Sequence, residues 1–496
     1  MLLPLSVFSV DLLSDDLLLL ASVLVFFAIM STKIGSRFGV PSLLLFLILG
    51  MVVGADGLGV EFQDYELAES IGHFAMTIIL FSGGLETSWS ETKPMMKQGL
   101  LLSTLGVFIM CALTGGFIYL VAGKYLNLLS SSVIGCLLVA AIMSSTDSAS
   151  VFSLLHGKNL HLRHNLGPML ELESGSNDPM AYLLTIMLTA FLSSAHEHGP
   201  WGIAMNGILG LVIQMGVGFG VGIGVGYFMS WIIKKVKLPG TSLYSILVLS
   251  VAFFSSGLAS VLWGNGLLAL YVSAIIIGNK ATIPQKKDVL KFFNGMTWLM
   301  QLLMFLMLGL LARPSQMDDV LVPAILIALF MTFVARPASV FACLLPFRNI
   351  PFKAKLFTSW VGLKGAGPIL FALYPVVQGI EGASHLFNIV YVVTLTSLLM
   401  QGMTLTPVAK WLGLSFEEIP QAETFGLEIP EEMGILRDHT VAEEDLAGGN
   451  TMRDLHLPHG IRVVMVKRGD RMLVPHGSMP LQAGDHLVII IGESDD

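Results

Sequence analysis

Five ionisable side chains stand inside long apolar runs of this 496-residue chain: Asp147, Glu173, Asp178, Arg336 and Lys364. A charge at bilayer depth is costly, so one kept there marks an ion path or a buried pair. Around Asp178 the neighbours are oxygen donors. Asn177 precedes it and Ser174 lies one helical turn earlier, so a carboxylate, an amide carbonyl and a hydroxyl converge on a helix. These are hard ligands of the kind that replace the water around an alkali cation. Pro179 follows directly and weakens the hydrogen bonding of the turn before it. The plainer reading of each charge is an ion pair that only fixes packing. That reading suits Glu173 and Arg336, because a guanidinium at such depth needs a carboxylate partner. Glu171 sits beside this group, nearer the membrane face.

The other charges mark the elements that must hold this point. Ser144-Ser145-Thr146-Asp147-Ser148-Ala149-Ser150 interrupts an apolar segment with a polar run too expensive for regular helix facing lipid. Backbone that unwinds to line an enclosed cavity tolerates such a run. Gly362-Leu363-Lys364-Gly365-Ala366-Gly367-Pro368 breaks a second apolar segment. Two interrupted helices in matching halves are the sequence mark of an inverted-repeat transporter with a mid-membrane site.

Composition agrees. The chain is 54% hydrophobic and 12% charged, where soluble domains carry roughly a quarter charged residues. With about 20 apolar residues per crossing, the sequence predicts a polytopic α-helical membrane protein of thirteen spans. They lie near 16–34, 40–56, 67–85, 98–122, 131–155, 166–193, 202–233, 241–260, 264–279, 292–312, 320–343, 355–377 and 385–410. Spans 1–6 and 8–13 form equal sets, with the broken helices, spans 5 and 12, in matching places. One set of loops holds sixteen basic residues, from Lys33 and Arg37 through to Lys353 and Lys355. The alternate set holds Lys124 and Arg313 with acidic residues such as Asp56, Glu61, Asp318 and Asp319. This positive-inside bias puts the N-terminus outside and the C-terminus in the cytoplasm.

The first apolar run follows Asp11, Asp15 and Asp16 with no basic leader, and reads as a spanning helix rather than a cleaved signal. Cys111, Cys136 and Cys343 lie in apolar runs and read as small core residues. No basic face suggests nucleic-acid binding. After Trp411 the composition turns polar. Residues 1–410 read as the membrane domain, 411–450 as an acidic linker or the first part of a small domain, and 451–496 as a small cytoplasmic α+β domain. There, 461–466 and 471–475 flank the turn Arg468-Gly469-Asp470-Arg471 as a hairpin, and 486–492 is a further strand entered through Ala483-Gly484-Asp485.

Thr146-Asp147, Glu173-Ser174-Gly175-Ser176-Asn177-Asp178-Pro179 and Gly362-Leu363-Lys364-Gly365 resemble the cation/proton antiporter-1 family. The likeness is greatest to the NhaP-type sodium or potassium/proton antiporters of bacteria, over residues 15–410. Residues 450–492, with Leu481-Gln482-Ala483-Gly484-Asp485-His486-Leu487, resemble the TrkA-C type regulatory lobe of potassium-conductance regulators. The resemblance implies an inner-membrane homodimer, with a dimerisation domain and a mobile six-helix core working by alternating access. It implies that Asp178 binds cation and proton in turn, with Asp147, Ser174, Asn177 and the Thr146 backbone completing the cation shell. Glu173 and Arg336 would form a structural salt bridge. Lys364 stands where the family commonly has arginine and is assigned to the funnel or crossing helix; Glu86, by its place at the inner end of span 3, either lines the cytoplasmic funnel or ends the helix.

Competition at one carboxylate then follows. Deprotonated Asp178 binds the cation, and protonation removes the charge that held it. Asn177 stands where a second carboxylate would titrate, so the expected exchange is electroneutral, one proton per monovalent cation. The lobe tilts the expected cation from sodium to potassium. A ligand-gated potassium efflux channel is the rival, separated by stoichiometric coupling. No enzyme activity, cofactor or resident metal is expected; a nucleotide or cyclic dinucleotide is the candidate ligand of the lobe. The expected partners are K+ or Na+, H+, membrane lipid and a second copy of the chain. Glycines alternating from Gly216 to Gly226 read as close helix packing, since strict alternation never satisfies G-x-G-x-x-G. His156, His161 and His164 are candidate pH sensors, and His196 with His198 reads as a solvated loop pair.

Overall fold

The computed structural model describes residues 15–491 apart from 39, 123–131, 157–159, 194–199, 282, 285, 418–435, 442–445, 447–448, 456–460 and 469–470. The chain divides into two compact units, Met1–Phe416 and Glu417–Asp496.

The first unit is helical, with a helix in each segment expected to span. α1 (Asp15–Phe38), α2 (Ser42–Val53) and α3 (Tyr65–Glu86) open it. The fourth segment winds through α4 (Trp89–Thr92), α5 (Met96–Leu101) and α6 (Val107–Phe117), with wide π turns at Leu102–Gly106 and Ile118–Ala122. α7 (Val133–Ile142) and α8 (Ser148–His156) are the halves of one interrupted helix. Then come α9 (Leu166–Ser193), α10 (Pro200–Lys235), α11 (Thr241–Val261), α12 (Gly266–Lys280) and α13 (Lys286–Leu311). α14 (Asp318–Phe330) passes through a π turn at Met331–Ala335 into α15 (Arg336–Leu344). α16 (Phe352–Trp360) and α17 (Ala366–Val377) are the second interrupted pair, followed by α18 (Ala383–Ser397) and α19 (Met403–Trp411).

Among the described residues, seven helices are long and apolar enough to cross a membrane, and five more, including Val133–Ile142 and Ala366–Val377, are apolar but shorter. The interrupted helices are short because each is half of a crossing. α9 fails for the opposite reason. Its 28 residues reach about 42 Å, but Glu171, Glu173 and Asp178 lower its hydropathy. Large apolar side chains such as Phe26, Phe219, Phe254 and Phe333 are exposed, the pattern of a surface meant for lipid.

Helix starts follow the sequence locally. Asp64 accepts a hydrogen bond from the Leu67 amide to cap α3, and Asn265 does the same for Leu268 at α12, each at 2.9 Å. The alternating glycines of α10 divide by face. A side chain at Gly218, Gly222 or Gly226 would collide with Asn265, Ala269 or Ile276 on or beside α12, whereas Gly216, Gly220 and Gly224 meet open space. The stripe at every fourth residue is what lets α10 and α12 approach closely. All three cysteines are buried and free.

The second unit is a four-stranded antiparallel sheet of β1 (Leu436–Thr440), β2 (Ile461–Arg468), β3 (Arg471–Leu473) and β4 (His486–Ile491), in the order β1-β4-β2-β3. The hairpin expected around 468–471 is β2–β3. β1 lies within 411–450, the stretch that reads as an acidic linker or the first part of a small domain. Leu436-Arg437-Asp438-His439-Thr440 has little apolar signal of its own, and its pairing comes from β4. A small core of Val441, Val466, Met479, Leu481, Leu487 and Ile489 lies beneath the sheet.

Asp485 is buried at its edge. It accepts from Arg468 Nε and Nη2 at 2.8 and 2.6 Å and from the Gln482 amide at 2.9 Å. The Arg468 hydrogen bond holds the Asp485 carboxyl below the usual carboxylate range. Its stabilisation is therefore complete above an unfolded value of about 3.9 and is lost as pH falls through the lower folded value. Asp485→Asn should cost this unit about 2 kcal/mol at neutral pH. Unfolding of the full chain in detergent checks this; a gap that fails to narrow below about pH 4 contradicts it.

Candidate ion-binding site

The site is built where the two interrupted helices cross. Ser144 Oγ donates to the Ala141 carbonyl at 2.6 Å, satisfying a group that the end of α7 leaves open. The chain then leaves the helix through 145–147 and restarts as α8. Asp147 makes that restart possible, because its carboxylate accepts from the Ser150 amide at 3.0 Å and from the Ser150 hydroxyl. An acid at a helix N-terminus meets the positive end of the helix dipole.

The second break answers the first. The Asp147 amide donates to the Leu363 carbonyl at 2.9 Å. Lys364 Nζ donates to the Ser145 carbonyl at 2.9 Å, placing its amino group as a donor past the carbonyl end of α7. The Lys364 amide donates to Ser397 Oγ at 2.9 Å, and Ser397 donates to Gln401 Oε1 at 2.6 Å. Gly365 is required here, since any side chain would run into the Asp147 carboxylate.

α9 brings the third wall. Ser145 Oγ donates to Asp178 Oδ1. Ser174 Oγ donates to the Thr146 carbonyl at 2.7 Å, and Asn177 Nδ2 donates to Thr146 Oγ1 at 2.6 Å. With its NH2 group turned to Thr146, the Asn177 amide leaves Oδ1 buried and without a hydrogen-bond partner among the described residues. Asn177 is 1% exposed. A buried carbonyl oxygen without a donor is an acceptor held ready. Thr146, Asp147, Ser174, Asn177 and Asp178 are thus brought together. Ser145 and Ser150 belong to the same network; they stood inside the polar run but were not singled out, because serine spacing does not tell which hydroxyl turns inward.

Glu173 and Arg336 form a buried ion pair, with side chains 2% and 5% exposed. Arg336 also reaches the Val361 carbonyl at 3.3 Å, so α9 is tied to the end of α16 as well as to α15. Glu86 lies away from the crossing. It lines a cavity of about 320 Å³ with Glu91, Glu171 and Asn165, while Lys364 stays at the crossing itself. His164 is exposed, with φ of 61°. The side chains of His156 and His161, and the pair His196 and His198, lie outside the described residues.

Two helices broken at one crossing, their facing ends met by an acid and a base beside a carboxylate on a third, define a secondary transporter rather than an enzyme. The transmembrane sodium/hydrogen exchanger family model matches residues 22–411, and the TrkA-C domain model matches 436–495. The K+/H+ antiporter NhaP2 of Shewanella baltica is 36% identical over 479 residues, covering 96% of this chain and 81% of that protein. The K+/H+ antiporter NhaP of Alkalimonas amylolytica is 34% identical over 488 residues, with the same coverage. The solved sodium proton antiporter MjNhaP1 of Methanocaldococcus jannaschii superposes with a TM-score of 0.65 at 22% identity, over 78% of this chain and 99% of that one. The chain belongs to the sodium/hydrogen exchanger family, has its membrane antiporter fold, and carries a C-terminal TrkA-C domain. It is a monovalent cation/proton antiporter.

Proposed function

We propose that this antiporter exchanges potassium for protons, one for one, across a bacterial inner membrane, with Asp178 as the carrier. The observation that carries the reading is the pairing of Asp178 with the unpartnered Asn177 Oδ1 at the crossing of the two broken helices. Deprotonated Asp178 and Asn177 Oδ1 hold the cation, and the Thr146 backbone, Ser174 and Asp147 complete its shell. A proton arriving at Asp178 cancels the charge and releases it. Glu173 and Arg336 serve structure, while Lys364 steadies the crossing. The cavity at Glu86, Glu91 and Glu171 is the funnel through which cations arrive.

Asn177 supports electroneutral exchange, since the neighbouring position adds no second titrating carboxylate. Potassium is favoured because the similar antiporters from Shewanella and Alkalimonas are named for it. Thirteen crossings in two inverted sets fit the matching places of the interrupted helices, with the N-terminus outside. The open stripe of Gly216, Gly220 and Gly224 favours a homodimer through α10. The cytoplasmic unit regulates transport, with a nucleotide or cyclic dinucleotide as its ligand; because β1 lies within 411–450, its sheet starts inside the acidic stretch.

Reconstituted in proteoliposomes, the protein should move protons when potassium is added, with a smaller response to sodium and lithium. The rate should not change when a membrane potential is imposed. A potential-dependent rate sinks the one-for-one stoichiometry, and potassium current without proton movement returns the channel reading.

A further inference from the structure

Asp178 lies between two unlike ends of the same helices. On one side Glu171 of α9 and Glu86 of α3 open onto the cavity already described. On the other side, one turn beyond Asp178, Tyr182 is stoppered. Its hydroxyl shares a 2.9 Å hydrogen bond with His73 Nε2 on α3. The rings meet edge to face at 4.9 Å, and Phe371 and Tyr374 of α17 close around Tyr182 at 5.3 and 6.2 Å. α3 packs along α12 and α13, α9 packs against α7 and the fourth segment, and both pack against α17, so this hydrogen bond adds a direct tie between α3 and α9 beside their shared neighbour.

We propose that His73 is a protonation-controlled latch that closes the second route to Asp178. The proposal rests on alternating access around Asp178. Neutral His73 accepts a hydrogen bond from the Tyr182 hydroxyl through Nε2 and holds α3 to α9. Once protonated, Nε2 carries its own hydrogen and turns to the Glu69 carboxylate, which lies 3.7 Å away on the preceding turn of α3. The titratable groups that meet this ring are Glu69 on its own helix, Tyr182 on α9 and Tyr374 beside it on α17. From α11, the apolar Phe253 stacks on the neighbouring Phe74. The His73 side chain is 30% exposed, so it is not sealed inside the helices. Acid on this face, external in the proposed orientation, then opens the route by which protons reach the carrier.

The test measures potassium-driven proton movement in proteoliposomes at acid and alkaline external pH. His73→Gln keeps an acceptor for Tyr182 but cannot be protonated. It should match the parent at alkaline pH and lag it about two- to tenfold at acid pH, the range set by one ordinary hydrogen bond. Tyr182→Phe removes the latch and should do the reverse, matching the parent at acid pH and exceeding it by a similar factor at alkaline pH. Either variant alone decides. A variant that follows the parent at both pH values, or changes equally at both, overturns the latch. A parent without proton movement refutes the antiport reading instead.

Discussion

Asp178→Asn is expected to abolish cation-driven proton movement while leaving the protein folded. The amide still accepts the hydrogen bond from Ser145 Oγ, so the crossing keeps its Asp178 contact. What is lost is the charge and the proton it binds. A unit charge acting on a cation at 4 Å is worth about 4 kcal/mol at an effective dielectric of about 20, roughly a thousandfold in affinity. Asp178→Glu keeps a titrating carboxylate one methylene out of place and should retain a fraction of the exchange. Proton movement on addition of potassium to everted vesicles reads both variants. Appreciable exchange in the asparagine variant removes Asp178 from its role. Equal loss in both variants means that shape, rather than charge, was disturbed.

Much of this site was legible in the chain because its chemistry is anomalous in a membrane. A seven-residue polar run, a glycine- and proline-rich break and a helix carrying three acids stand out against apolar neighbours. The pairing of Glu173 with Arg336 followed from the same cost, since neither tolerates burial alone. What stayed hidden depends on direction. Asp147 reads as a cation ligand, yet its carboxylate also caps α8, a job visible only once the helix restarts at Ser148. Lys364 reads as a funnel or crossing-helix residue, and which carbonyl its side chain meets, that of Ser145 past the end of α7, is set by direction alone. The His73–Tyr182 bond joins residues 109 apart, and neither has a local signal. Strand β1 carries no strand signal of its own, because an edge strand paired through backbone needs no apolar alternation.

Glu173→Gln should destabilise the protein by about 3–5 kcal/mol while sparing cation affinity in whatever fraction folds. The substitution leaves the Arg336 guanidinium buried with its carboxylate partner gone. Its Nε already lacks a hydrogen-bond partner, and its remaining contacts are the carbonyls of Thr358 and Val361 at 3.5 and 3.3 Å. Those carbonyls stabilise a cation too little to offset the lost carboxylate. Replacing both partners, Glu173→Leu with Arg336→Met, removes the stranded charge and should recover much of the loss. Recovery stays incomplete, because the Val361 carbonyl beside the second break loses its donor. Thermal unfolding in detergent reads stability, and the potassium concentration for half-maximal exchange reads affinity. If Glu173 were instead a direct cation ligand, the glutamine variant would unfold near the parent temperature and need far more potassium. The ion pair places the effect on stability: Glu173 holds α9 to α15, and through that hold keeps Asp178 at the crossing where the two broken helices meet.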